Sequence, residues 1–222
     1  MRWWKILTVV LLLYTYIGGL MITVPDVGNL EHTIRNAFFH IPMWTSQFIT
    51  LVISLVYSIK YLRKPNAIND IYAVEFAKTG TVFGILGLAT GMEWANFTWG
   101  ASWSNDPKQL GVAVALLIYF AYFILRNSMT DLDKRARISA VYNIFAFFIY
   151  IPMILILPRM VESLHPGGKG VEGNPGFNGD DLNTAMKYVI RPAYIGWAML
   201  AIWITTLRLR LHVFTEKTQS AV

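Results

Sequence analysis

Six apolar runs, at residues 6–24, 43–59, 74–92, 110–125, 138–157 and 188–207, divide this chain into blocks that water solvates poorly. A helix needs roughly 20 apolar residues to cross about 30 Å of hydrocarbon, and every run meets or approaches that length. Charged residues supply only 14% of the 222 positions, against about 25% in soluble domains. Mean hydropathy is +0.45. Lipid is therefore the solvent these runs imply, and the fold class they predict is an all-α polytopic membrane protein with six transmembrane helices in a single domain, 1–222. The fourth run has only 16 residues, so it must recruit flanking residues or sit where the bilayer thins. The sixth carries Arg191 and Pro192 near its start, which moves its apolar part toward Ala193.

The first run follows Arg2 and Lys5, as a secretory signal also would. Its 19 residues and the lack of a small-x-small cleavage site before Pro25 favour a retained span. With the N-terminus inside, the inner segments hold Arg2, Lys5, Lys60, Arg63, Lys64, Arg126, Lys134, Arg135, Arg137, Arg208, Arg210 and Lys217. The outer segments hold Arg35, Lys108, Arg159, Lys169, Lys187 and Arg191. Twelve against six, with the clusters on one side, is a positive-inside bias that predicts both termini in the cytoplasm. The net charge of +6 is thus spread in short clusters that set orientation, and no nucleic-acid partner is expected.

The inner connections are short and basic, whereas the outer segments 25–42, 93–109 and 158–187 are longer. The Gly-, Asn- and Asp-rich stretch 166–181 reads as a mobile loop tip. Function is therefore sought on the outer side. Trp94, Trp99 and Trp103 fall within ten residues there, and Trp44 lies at the outer end of the second run. For Trp44 an interfacial belt position suffices. Trp99-Gly100-Ala101-Ser102-Trp103-Ser104-Asn105-Asp106-Pro107-Lys108 instead interleaves aromatics with small and polar residues, a surface suited to a large planar ligand. His32, His40 and His165 are also outer. His40 stands where the second span enters the membrane and His165 follows the fifth. Two neutral imidazoles on separate segments suit the two faces of a porphyrin iron, although a lone histidine is far more often an interfacial polar residue. His32, between Glu31 and Arg35, fits that simpler reading.

Absent motifs narrow the choice. Without cysteine there are no disulfides, no thiol catalysis and no covalent C-x-x-C-H heme attachment. No H-E-x-x-H zinc helix occurs, and Gly80, Gly84, Gly87 and Gly91 lie within the third run, where they favour close helix packing over phosphate binding.

Three landmarks in order resemble the heme exporter protein C family of cytochrome c maturation. They are His40-Ile41-Pro42, then Trp99-Gly100, Trp103 and Asp106-x-Lys108, then Ser163-Leu164-His165, with a basic end at Leu207-Arg208-Leu209-Arg210. The resemblance spans nearly the whole chain. It implies that His40 and His165 are axial ligands of a non-covalent heme b. It also implies that Trp99, Trp103 and Asp106, with Lys108, form the binding platform. The implied setting is a bacterial inner membrane with the heme site on the periplasmic side. The implied partners are a heme chaperone and ABC transporter subunits of the same system, and the implied role is heme binding and delivery without catalysis. The motif departs from the family pattern at Ser102 and Asn105, where further tryptophans are usual, and Asp106-Pro107-Lys108 replaces Asp-Ala-Arg.

Two other classes remain. A cytochrome b-type electron-transfer subunit would place paired histidines inside its helices, whereas these lie at outer ends. A permease would show ionisable groups near the bilayer midplane, and Glu75 with Lys78 is the one candidate pair, read as a local ion pair near the inner interface.

Overall fold

The computed structural model describes residues 3–25, 28–165 and 182–219, and among these all regular structure is helical. The order is α1 (Trp3–Met21), a 3-10 segment (Gly28–Asn36), α2 (Ala37–Arg63), α3 (Ala67–Trp99), α4 (Pro107–Asn127), α5 (Leu132–Ile151), a π turn (Pro152–Ile156), α6 (Leu157–Met160) and α7 (Thr184–Gln219). Six stretches are long and apolar enough to cross a membrane, at Trp3–Met21, His32–Arg63, Ala67–Trp99, Pro107–Asn127, Leu132–Met160 and Thr184–His212. The six-helix expectation holds. The Gly-rich stretch 166–181 lies outside the described residues.

The helices overrun the apolar runs because capping groups, rather than hydropathy, end them. Asn66 accepts from Asn69 N–H at the start of α3, Asp106 from Lys108 N–H at the start of α4, and Asp131 from Lys134 N–H at the start of α5. The short fourth run thereby grows to 21 residues. α3 runs on to Trp99 and stops at Gly100, whose φ of 76° is the left-handed conformation that ends helices. Half of the expected outer loop 93–109 is therefore helix. Pro192 sits inside α7. Proline has no N–H to offer the carbonyl four residues back, and the Tyr14 hydroxyl of α1 donates to that Tyr188 carbonyl at 3.3 Å.

α2 is central, packed on α3, α5 and α7. Its partnership with α3 is the closest, and the four glycines of the third run explain it. Leu51 and Thr50, Gln47, Trp44 and His40 of α2 fill the places where side chains at Gly80, Gly84, Gly87 and Gly91 would stand. The steps along both helices are three and four residues, so one face of each meets the other in register. Buried polar bonds reinforce the bundle. Asn143 Nδ2 donates to Ser54 Oγ at 2.7 Å and Ser58 Oγ at 2.8 Å, tying α5 to α2, and Thr205 meets Thr79 at 2.9 Å. Such interhelical bonds average about 0.6 kcal/mol in lipid.

The end of the bundle away from the tryptophan-rich segment is fastened by charge. Glu75 meets Lys78 at 2.7 Å, Arg208 at 2.6 Å and His212 at 3.7 Å, so the expected local pair is a network joining α3 to α7. Arg126 grips Asp70 with two bonds of 2.8 and 2.6 Å, joining α4 to α3. Arg126 is buried, and removing one partner from such a pair leaves an uncompensated charge costing about 3 kcal/mol or more. Asp70→Asn and Arg126→Met should each lower thermal stability in lipid nanodiscs by that order, and the double variant by less than either single one. A double variant as unstable as the two losses combined would show that the pair is not coupled.

Candidate functional site

Antiparallel alternation of the spans brings the start of α2, the end of α3, the start of α4 and the residues after α6 to one end of the bundle. Two imidazole clusters form there. In the first, His40 lies on the first turn of α2, with Nδ1 3.1 Å from Thr90 Oγ1 and Nε2 accepting from Trp44 Nε1–H at 3.1 Å. The rings of Trp44 and Trp94 each stand edge-on to it with centroids 5.9 Å away. Trp94 is itself held by donating to Thr33 Oγ1 at 3.2 Å, and Asn36 Nδ2 donates to the Thr90 carbonyl at 2.9 Å.

The second cluster is built on Asp106. Its carboxylate, 1% exposed, accepts from Lys108 N–H at 2.8 Å, Ser163 Oγ–H at 2.8 Å, Leu164 N–H at 2.7 Å and His165 Nδ1 at 2.8 Å. Residues 163–165 reach it because α5 ends at Ile151 and the chain continues through the π turn. Gly111 of α4 admits the Met153 carbonyl where any side chain would collide. π turns inside helices often mark functional sites. With Nδ1 committed to the carboxylate, the His165 lone pair is presented on Nε2, an orientation that carboxylates impose on metal-binding histidines. Trp99 stands edge-on to this imidazole at 4.9 Å.

The clusters adjoin, since His165 and Lys108 are within electrostatic reach of His40. Of the residues singled out from the sequence, His40, Trp99, Asp106, Lys108 and His165 gather here, while His32 is exposed on the 3-10 segment. Trp103 is more peripheral, 38% exposed at the loop surface, with its indole N–H donating to Asn105 Oδ1 at 2.8 Å. Asp106 acts through His165 and the cap of α4 in addition to any contact with a ligand. The sequence reading did not assign Trp44, Thr90, Trp94, Gln109 or Ser163 to the site. The spacing of His40 and Trp44, four residues apart on one helix, was the available signal for the first of these.

Imidazole nitrogens beside flat indoles, at the lip of a membrane bundle, are the donor set and surface that a heme requires. The heme exporter protein C family matches the chain over residues 1–222. The chain belongs to this family. It is 27% identical over 139 residues to the heme exporter protein C of Rhodobacter capsulatus, across 63% of this chain and 57% of that protein. It is 21% identical over 189 residues to that of Paracoccus denitrificans, across 85% and 77%. Similarity extends to the cytochrome c biogenesis protein CcsA of Chlamydomonas reinhardtii, 29% identical over 143 residues, across 58% of this chain and 39% of that protein. The chain thus spans little more than half the length of the first of these relatives.

Of the two positions where the resemblance leads one to expect tryptophan, Asn105 has a local structural cause, and nothing in the structure explains serine at 102. Asn105 adopts φ 55°, the left-handed region that asparagine tolerates far better than tryptophan, and its amide fixes Trp103. Ser102 supplies a carbonyl that accepts from Gln109 Nε2 at 3.0 Å, while Gln109 Oε1 accepts from the Ser104 N–H and hydroxyl at 3.0 and 3.1 Å. The loop is thus pinned onto α4 by one glutamine.

Burial pushes the His165 imidazole below its ordinary value of 6.5, and the bond to Asp106 opposes this without overcoming it. Burial would raise Asp106, but the bonds from His165, Ser163 and the Lys108 N–H outweigh it and hold the carboxyl well below its usual range. At neutral pH the pair is therefore a neutral imidazole donating to a carboxylate. Both folded values lie below the unfolded ones, so both groups favour the fold at higher pH. The His165 contribution is complete above 6.5 and is lost as pH falls toward its folded value. That of Asp106 disappears only in stronger acid, below 3.8. Imidazolium quenches a neighbouring indole, so Trp99 reports the titration. The fluorescence difference between wild type and His165→Ala should titrate with a midpoint below 6.5, and a midpoint above it would mean that the carboxylate dominates burial.

Proposed function

We propose that the chain holds heme b non-covalently at the outer face of the bacterial inner membrane and hands it to a heme chaperone during cytochrome c maturation. ABC transporter subunits of the same system are its further partners. The observation that carries this is the Asp106–His165 pair, which fixes the imidazole with Nε2 presented beside Trp99. Family membership supports heme handling as the role, and the basic residues gathered at the opposite end of the bundle support an outer position for the site, with both termini inside.

The parts divide the work by their chemistry. His165, held neutral and oriented, and His40 would each offer an imidazole nitrogen to the heme iron. The indoles of Trp99 and Trp103 cover apolar macrocycle surface near the loop that Gln109 pins. Lys108, on the first turn of α4 with Arg159 in electrostatic reach, offers cationic charge to the propionates. Gly100, Ala101, Trp103 and Asn105 of the loop are exposed, which permits a soluble acceptor to approach that side. None of these residues makes or breaks a covalent bond in the cargo, so the role is binding and transfer.

The full chain in nanodiscs, mixed with ferric heme b, should show a Soret band that weakens in His165→Ala and in His40→Ala. Asp106→Asn, which keeps the ligand but loosens its orientation, should lower affinity about 10–100-fold. Spectra identical to wild type in both histidine variants would refute the ligand assignment.

A further inference from the structure

The two imidazoles differ in what meets the nitrogen that would bind iron. On His165 the bond to Asp106 engages Nδ1 and leaves Nε2 as the presented atom. On His40 both nitrogens are engaged. Thr90 Oγ1 directs its own proton to the carbonyls of Leu86 at 2.9 Å and Gly87 at 3.1 Å, so toward His40 it accepts, which puts the imidazole proton on Nδ1. The lone pair is then on Nε2, and Trp44 Nε1–H donates into it at 3.1 Å. An indole N–H is a donor only, so this contact exists only with a neutral, unligated Nε2.

The α3 backbone shapes a seat for that pairing. A Cβ at residue 87 would stand 2.8 Å from Trp44 Cε2, and one at residue 91 would stand 2.7 Å from His40 Cε1. Both rings therefore lie flush on glycine, and Trp94 flanks the imidazole. An interfacial belt position for Trp44 explains neither the seat nor the bond.

We propose that Trp44 is a displaceable cap on the iron-binding nitrogen of His40, so that ligation is sequential, with His165 engaged first and His40 only after the indole lets go. The inference rests on the heme-site reading above. In the exchange the N–H···Nε2 hydrogen bond breaks, and the same lone pair forms the Fe–N bond. No proton or electron leaves, and the indole N–H turns to water at the outer lip. On release the indole recaptures Nε2, so the departing cargo loses its helix-borne ligand first and is left on the loop-borne one, where an acceptor can reach it.

Stopped-flow mixing of ferric heme b with the full chain in nanodiscs tests this. A fast phase, lost in His165→Ala, should give a one-imidazole spectrum. A slower phase, lost in His40→Ala, should give the low-spin two-imidazole spectrum. Trp44→Phe keeps a ring over Gly87 while removing the donor, and should speed the slower phase about threefold to tenfold, the range one hydrogen bond commands. Gly87→Ala, which crowds the indole off its seat, should act in the same direction. In the heme-free protein, the Raman band sensitive to indole N–H bonding should change in His40→Ala by the share of one tryptophan. A slower phase unchanged in both Trp44→Phe and Gly87→Ala, or an unchanged Raman band, overturns the cap and leaves the two ligands standing. Histidine variants with wild-type spectra overturn the reading beneath it.

Discussion

A carboxylate with 1% exposure is tolerable beside a membrane only when its charge is matched bond for bond, and Asp106 meets that condition with four donors from two chain segments. One donor starts α4, and the other three follow α6. The group that caps a transmembrane helix is thus the group that draws residues 163–165 across and fixes the ring of His165. Helix start, loop closure and ligand orientation are one interaction, which is why the site cannot be loosened without disturbing the span beneath it. The π turn and Gly111 belong to the same arrangement, because they let the α5 chain approach α4 closely enough for those donors to arrive.

His40 is positioned by different means. It has no carboxylate, and its place is set by the close approach of α2 and α3. Glycines at four positions of α3 receive side chains of α2 in order, as far as the histidine at the tryptophan-rich end. A shift of α2 by one residue would drive Gln47, Trp44 and His40 into backbone, so the register of the whole interface specifies where the imidazole stands. One imidazole is therefore held by electrostatics at a loop and the other by packing along a helix pair. The two constraints differ in kind: several bonds converge on one buried carboxylate at the loop, whereas close ring-on-glycine contacts line the helix pair.

The span number was legible because hydropathy over 16 to 20 residues is a local signal, and tryptophan clustering and histidine placement, local signals too, marked residues that the fold brings to one end of the bundle. Helix ends were less legible. Trp99 was expected in a loop, yet α3 carries it, because the stop signal is the left-handed Gly100 rather than the end of the apolar run. The partners distant in sequence were not legible at all. Ser163 and Asp106 are 57 positions apart, and Thr90 and His40 are 50 apart, distances at which nothing in a single sequence marks contact. The same holds for Glu75, where the adjacent Lys78 was readable as a helical neighbour but Arg208, on α7, was not.

The two ends of the bundle complete the physical picture. Away from the site, Glu75 with its cations and Asp70 with Arg126 cross-link α3, α4 and α7 through short charged bonds, and Asn143 ties α5 to α2 in the interior. At the site end the connections are a capped helix start, a loop pinned by Gln109, and an indole resting on glycine. One end is thus held by charged pairs, and the other, apart from the Asp106 carboxylate, by neutral hydrogen bonds and ring packing. The asymmetry between His165, bonded to a carboxylate, and His40, bonded to an indole, lies within two side chains on one scaffold of spans.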